Sequence, residues 1–122
     1  MQKITYSKEY MHNLYNGSEE DIHLVLTEFI KEVSSIKESL IVSYSRGNLS
    51  LFIETLHKNY AGFAYAGFPQ VSAQIKHLME VCQQIKTVSK IYTEFNHLLI
   101  AIDQSHEISL KEILFHKNTI PV

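Results

Sequence analysis

Apolar side chains return every three or four residues through successive stretches of this chain, and no segment alternates convincingly with period two. A helix turns by about 100° per residue, so such spacing collects the apolar positions on one stripe. The clearest stripe is Ile22, Val25, Leu26, Phe29, Val33, Ile36 and Leu40. A second set is Val71, Ile75, Leu78, Met79 and Cys82, and a third is Val88, Ile91, Tyr92, Phe95, Leu98, Leu99 and Ile102. Between them, residues 49–66 place Phe52, Thr55, Phe63 and Ala66 on a common side. Stripes of this kind bury themselves by packing helix on helix.

Punctuation supports the same division. Ser7 opens a short helix that runs to about Asn16, and Gly17 stops it. Ser18 caps a long helix whose first turn holds Glu19, Glu20 and Asp21, where negative charge meets the positive end of the dipole. It ends near Arg46-Gly47, and Asn48 caps the next helix, which runs to about Ala66. Gly67 closes that helix and Pro69 opens the following one. Thr87 or Ser89 caps the last long helix. The expected fold is therefore all-α: an antiparallel four-helix bundle with a short additional N-terminal helix. Residues 1–106 make one domain and 107–122 a C-terminal tail. In that tail Ser109 to Glu112 has the pattern of a capping box, which predicts one final short helix.

Composition narrows the function. A net charge of −2 gives no basic stripe for nucleic acid. The longest apolar run, Leu98 to Ile102, is far too short for a membrane span, and the N-terminus has no apolar signal region. A cytoplasmic location is expected. Cys82 is the single cysteine, so it forms no internal disulfide and leaves no zinc site built on several thiolates. Its place on a stripe makes it a small core residue.

The third helix has an unusual face. With His57 as the origin, Phe52, Thr55, Phe63 and Ala66 lie within about 60° of the opposite side, so His57 points to solvent or a neighbouring groove. Ser50, Ile53, Ala61 and Ala64 lie within about 40° of its direction, and Glu54, Lys58 and Tyr60 form the rim. Two readings fit. An imidazole among small and apolar side chains suits a surface that another protein approaches closely. Equally, the small residues allow close helix packing and His57 is an ordinary surface histidine.

The stretch from His57 through Lys58, Tyr60, Ala61 and Ala64 to Gly67 resembles the signature of histidine-phosphotransfer (HPt) domains of bacterial-type phosphorelays. In that family a histidine is followed ten residues later by glycine, with small residues between and an amphipathic helix after. Here that helix carries Val71, Ile75 and Leu78. The short first helix, the acid-started long helix and the Gly47-Asn48 turn come in the family's order, so the resemblance covers roughly residues 5–105. It departs where the family usually has lysine three residues after the histidine and glycine at four: this chain has Tyr60 and Ala61. Lys58 is rotated by about 100° from His57 but has a long stem.

The resemblance implies that His57 is a phosphorylated nucleophile. It implies a partner surface of Ile53, Glu54, Lys58, Tyr60, Ala61 and Ala64, and a structural Gly67. Partners would be a response-regulator receiver domain, a hybrid sensor kinase, or both. Mg²⁺ would sit on the receiver, and this chain would need no cofactor. No phosphate-binding glycine loop or acidic metal cage is apparent, so autokinase activity is not expected. The alternative is an adaptor that binds the same partners without transfer.

Three Glu-x-x-His pairs, Glu20/His23, Glu54/His57 and Glu94/His97, have the spacing used by di-iron bundles. Helical wheels put them on outer faces, where they do not converge, so no metal is expected. His12, His77, His106 and His116 read as surface residues.

Overall fold

Ser7, Ser18 and Asn48 cap helices as expected, while Thr87 stands at the start of a 3₁₀ turn without a side-chain cap bond. The structure, a computed structural model, describes residues 3–119, with side chains to Phe115. Helix α1 spans Lys8–Leu14, and the Ser7 hydroxyl accepts from the Tyr10 amide. Helix α2 spans Glu19–Ser45, with the Ser18 hydroxyl accepting from the Asp21 amide. Helix α3 spans Leu49–Tyr65, and Asn48 Oδ1 accepts from the Leu51 amide at 3.0 Å. Helix α4 spans Pro69–Cys82. Its N-cap is Phe68, whose ring is buried in the core and caps nothing; Pro69 removes one of the amides that would need a partner. A 3₁₀ turn over Val88–Ile91 leads into α5, Tyr92–Thr119. Among the described residues there is no strand.

Short turns at residues 46–48 and 66–68 reverse the chain, so α2, α3 and α4 run antiparallel. Helix α2 packs on α3, α3 on α4, α4 on α5, and α5 back on α2, which closes the four-helix bundle. Phe52, Leu56, Phe63, Val71, Ile75, Leu98 and Ile102 are fully buried at its centre. Each contributes about 1.5–3 kcal/mol by leaving water. Aromatic rings tie the helices together: Tyr44 stacks on Phe95 at 4.4 Å, and Phe52 meets the same ring edge-on at 5.2 Å. Helix α1 closes one end, where Met11 is buried with Ile22 and Leu26 and half-buried Ile113 packs against them. No helix among the described residues is long and apolar enough to cross a membrane.

Three expectations change. The helix that begins at Tyr92 crosses residue 106 without a break. Ser109 is therefore not an N-cap; it is buried inside α5, and its hydroxyl donates to the Ser105 carbonyl at 2.8 Å. A serine that satisfies itself on the preceding turn can sit in a helix interior, and the capping pattern does not distinguish the two. Tyr92 is exposed although the stripe includes it, because within α5 it is rotated by about 100° from the direction shared by buried Phe95, Leu98 and Ile102. Met79, Leu99 and His106 are half-buried, while His12 and His77 are exposed. The side chain of His116 lies outside the described residues.

Candidate functional site

The phase of α3 decides what the site looks like. Phe52, Leu56 and Phe63 are fully buried, so the inward direction of the helix is centred near Leu56. His57 is the next residue and stands roughly a third of a turn from that centre, on the flank and not opposite the core as the wheel places it. Thr55, expected inside, is only half-buried, and its hydroxyl turns back to donate to the Leu51 carbonyl at 2.8 Å.

His57 itself is exposed. On its inner side lie Ile53 and Tyr60, both half-buried and packed against the main core. The Tyr60 ring is 5.9 Å from the imidazole, tilted by 44°. Tyr60 is thus no rim residue, since its body is part of the packing. Beyond His57, Ala61 and Ala64 are half-buried and present only methyl groups. Glu54 and Lys58, both exposed, lie on the other side. Among the described residues nothing hydrogen-bonds either nitrogen of His57.

Glu54, Thr55, Lys58 and Asn59 form one wall of a groove of about 400 Å³ between α3 and α2. The other wall is Glu32, Ser35, Ile36 and Ser39 of α2. Spacing along α3 does not reveal this second wall; its signal is that Ser35 and Ser39 sit off the stripe of α2, as small residues on an otherwise charged surface.

Gly67 closes the helix that carries His57. Its φ is +97°, and a Cβ there would lie 2.7 Å from Tyr6 Cε2 and 3.2 Å from Met11 Cγ. Both conformation and space therefore require glycine. The N-terminal segment lies directly on the turn after α3, and the Tyr15 hydroxyl donates to the Tyr65 carbonyl at 2.7 Å nearby.

No family model matches the chain, and no curated protein matches its sequence. Among solved structures it is similar to the HPT domain of a sensor hybrid histidine kinase from Shewanella, with a TM-score of 0.78. The likeness covers 91% of this chain and 94% of that domain, at 14% identity. The chain has the HPt fold.

At that identity the likeness speaks for the backbone, so the roles of individual side chains in this HPt fold rest on their own geometry. Among the described residues no three His, Cys, Asp or Glu side chains come together as a metal site. Of the Glu-x-x-His pairs, Glu20, Glu54, His57, Glu94 and His97 are exposed and His23 is half-buried. Cys82 is buried in the core, and burial pushes its thiol up to about 11, which keeps it protonated and unreactive near neutral pH.

Proposed function

We propose that this chain is a phosphocarrier that accepts and donates a phosphoryl group on His57. The observation that carries the reading is an exposed imidazole, midway along α3 of an HPt bundle, with half-buried Ile53, Ala61 and Ala64 around it. Those neighbours allow a partner backbone to come close and give it an apolar surface to cover.

The donor is the aspartyl phosphate of a receiver domain, either free-standing or part of a hybrid sensor kinase. A neutral imidazole carries a free lone pair on one ring nitrogen. In the transfer the distal nitrogen attacks phosphorus. The phosphorus–oxygen bond to the aspartate breaks, and its electron pair stays on the carboxylate. The proton on the proximal nitrogen remains there, and the charges balance: a doubly charged acyl phosphate leaves one negative charge on the carboxylate and one net on the phosphoimidazolium. The return transfer runs through the same geometry. Such a reaction needs in-line positioning and charge neutralisation more than covalent machinery. The receiver supplies Mg²⁺ and a lysine; this chain supplies one ring on a rigid helix, so it is a carrier and not a kinase.

The test is incubation with a receiver domain phosphorylated on aspartate, then detection of acid-labile label on this chain. Label is expected on the wild type and absent in His57→Gln, whose stability should change by no more than about 0.5 kcal/mol because the residue is exposed. Label retained in His57→Gln would move the site elsewhere. A wild type that binds the receiver and takes no label would be an adaptor. Ala61→Arg puts a bulky cation one turn beyond His57 and should slow transfer without unfolding the bundle.

A further inference from the structure

We propose that Tyr60 is the positioning residue of the His57 imidazole, holding the ring by contact where no hydrogen bond does. The proposal rests on the reading of His57 as the phosphoryl carrier and goes beyond it. Three observations carry it. First, the Tyr60 ring lies 5.9 Å from the imidazole at a tilt of 44°, within the range of attractive offset aromatic contacts. Second, Tyr60 is half-buried and packs against the main core, so its own ring is anchored and does not swing with its neighbour. Third, among the described residues no group hydrogen-bonds a nitrogen of His57, and neighbouring Ala61 and Ala64 offer only methyl groups.

An unbraced histidine on a helix has about two accessible χ1 wells and two broad χ2 orientations. Only one combination directs the distal nitrogen at a phosphorus held in line. Contact with a fixed ring selects among them, and it does so through ring shape. The Tyr60 hydroxyl has no part in this, so phenylalanine should serve as well. Loss of the ring should spread His57 over about four arrangements and slow transfer about fourfold.

The experiment compares the full chain with Tyr60→Phe, Tyr60→Leu and Tyr60→Met. Two quantities are read: the Hα–Hβ three-bond couplings of His57 by NMR, and the rate of transfer from a phosphorylated receiver domain. Leucine and methionine keep apolar volume against the core, so a folding defect in one leaves the other to report. The expected result is one dominant χ1 in the wild type and Tyr60→Phe, averaged couplings in the two aliphatic variants, and a transfer loss of about fourfold in those two alone. Unaveraged couplings in the aliphatic variants would overturn the proposal. So would Tyr60→Phe being slowed as much as they are, since the hydroxyl would then be the working group. The couplings need no phosphoryl donor. A wild type that accepts no phosphoryl group would end the carrier reading while the couplings still decide whether Tyr60 orients the ring.

Discussion

At the scale of single residues, the position three after His57 shows how packing changes the meaning of a side chain. The HPt resemblance expects a lysine there, and an exposed rim position would accept one freely. Tyr60 is instead half-buried against the core. Lysine can lay its stem along that surface but leaves the ring's area unfilled, so Tyr60→Lys should cost about 1–2 kcal/mol. On the proposed carrier function, a cation beside the phosphoryl group is worth up to about 1 kcal/mol in an exposed setting. The loss of the ring works against it. Urea denaturation should therefore show a lower midpoint for Tyr60→Lys, and transfer from a phosphorylated receiver should be no faster than in the wild type. A faster variant would mean that charge outweighs orientation at this site.

At the scale of elements, the turn after α3 and the length of α5 each carry a prediction. Gly67→Ala forces a side chain into a left-handed backbone and against the Tyr6 ring, which itself lies 5.8 Å from Phe68. Backbone strain and overpacking add, and the variant should lose at least about 2 kcal/mol in chemical denaturation. Helix α5 carries half-buried Ile108 and Ile113 beyond residue 106, the first against the main core and the second against the Met11 cluster. Ending the chain at residue 106 removes both and uncovers Met11. The shortened protein should be less stable by about 2–4 kcal/mol, seen as a lower thermal midpoint. Across the bundle, the Lys37 ammonium holds both carboxylate oxygens of Asp103, at 2.8 and 2.9 Å. The pair joins α2 to α5 at the surface and adds at most about 1 kcal/mol.

At the scale of the whole molecule, a buried thiol and a half-buried phenol link folding to alkaline pH. Burial raises Cys82 from 9.0 to about 11. Burial, and then the Glu112 carboxylate, raise Tyr6 from 10.0 to about 12. Both groups hold their protons more tightly folded than unfolded. The stability they contribute is thus fully present below about pH 9 and is lost as pH rises, through Cys82 towards 11 and through Tyr6 towards 12. The midpoint of thermal unfolding monitored by circular dichroism should fall as pH rises above about 9. Cys82→Ala should remove the lower part of that fall.

Helix number, order and ends were legible along the chain, because a cap or a turn is a contact between residues a few positions apart. Ser7, Ser18 and Asn48 cap where their side chains suggest, and Gly67 and Pro69 meet at the turn they imply. The helix order on which the HPt resemblance rests comes from the same local signals, and His57 is exposed on the third helix as expected. Other features depend on neighbours distant in sequence. Leu56, not the side opposite His57, centres the buried arc of α3, because the common core is filled from α2, α4 and α5 as well. Ser109 lies inside α5 because Ile108 and Ile113 find apolar partners and the helix gains by continuing. Tyr60 borders the imidazole and the core at once, a relation that spacing along one helix does not express. Periodicity specifies that a helix has an apolar face; which residue stands at its centre is set by the packing of the other helices against it.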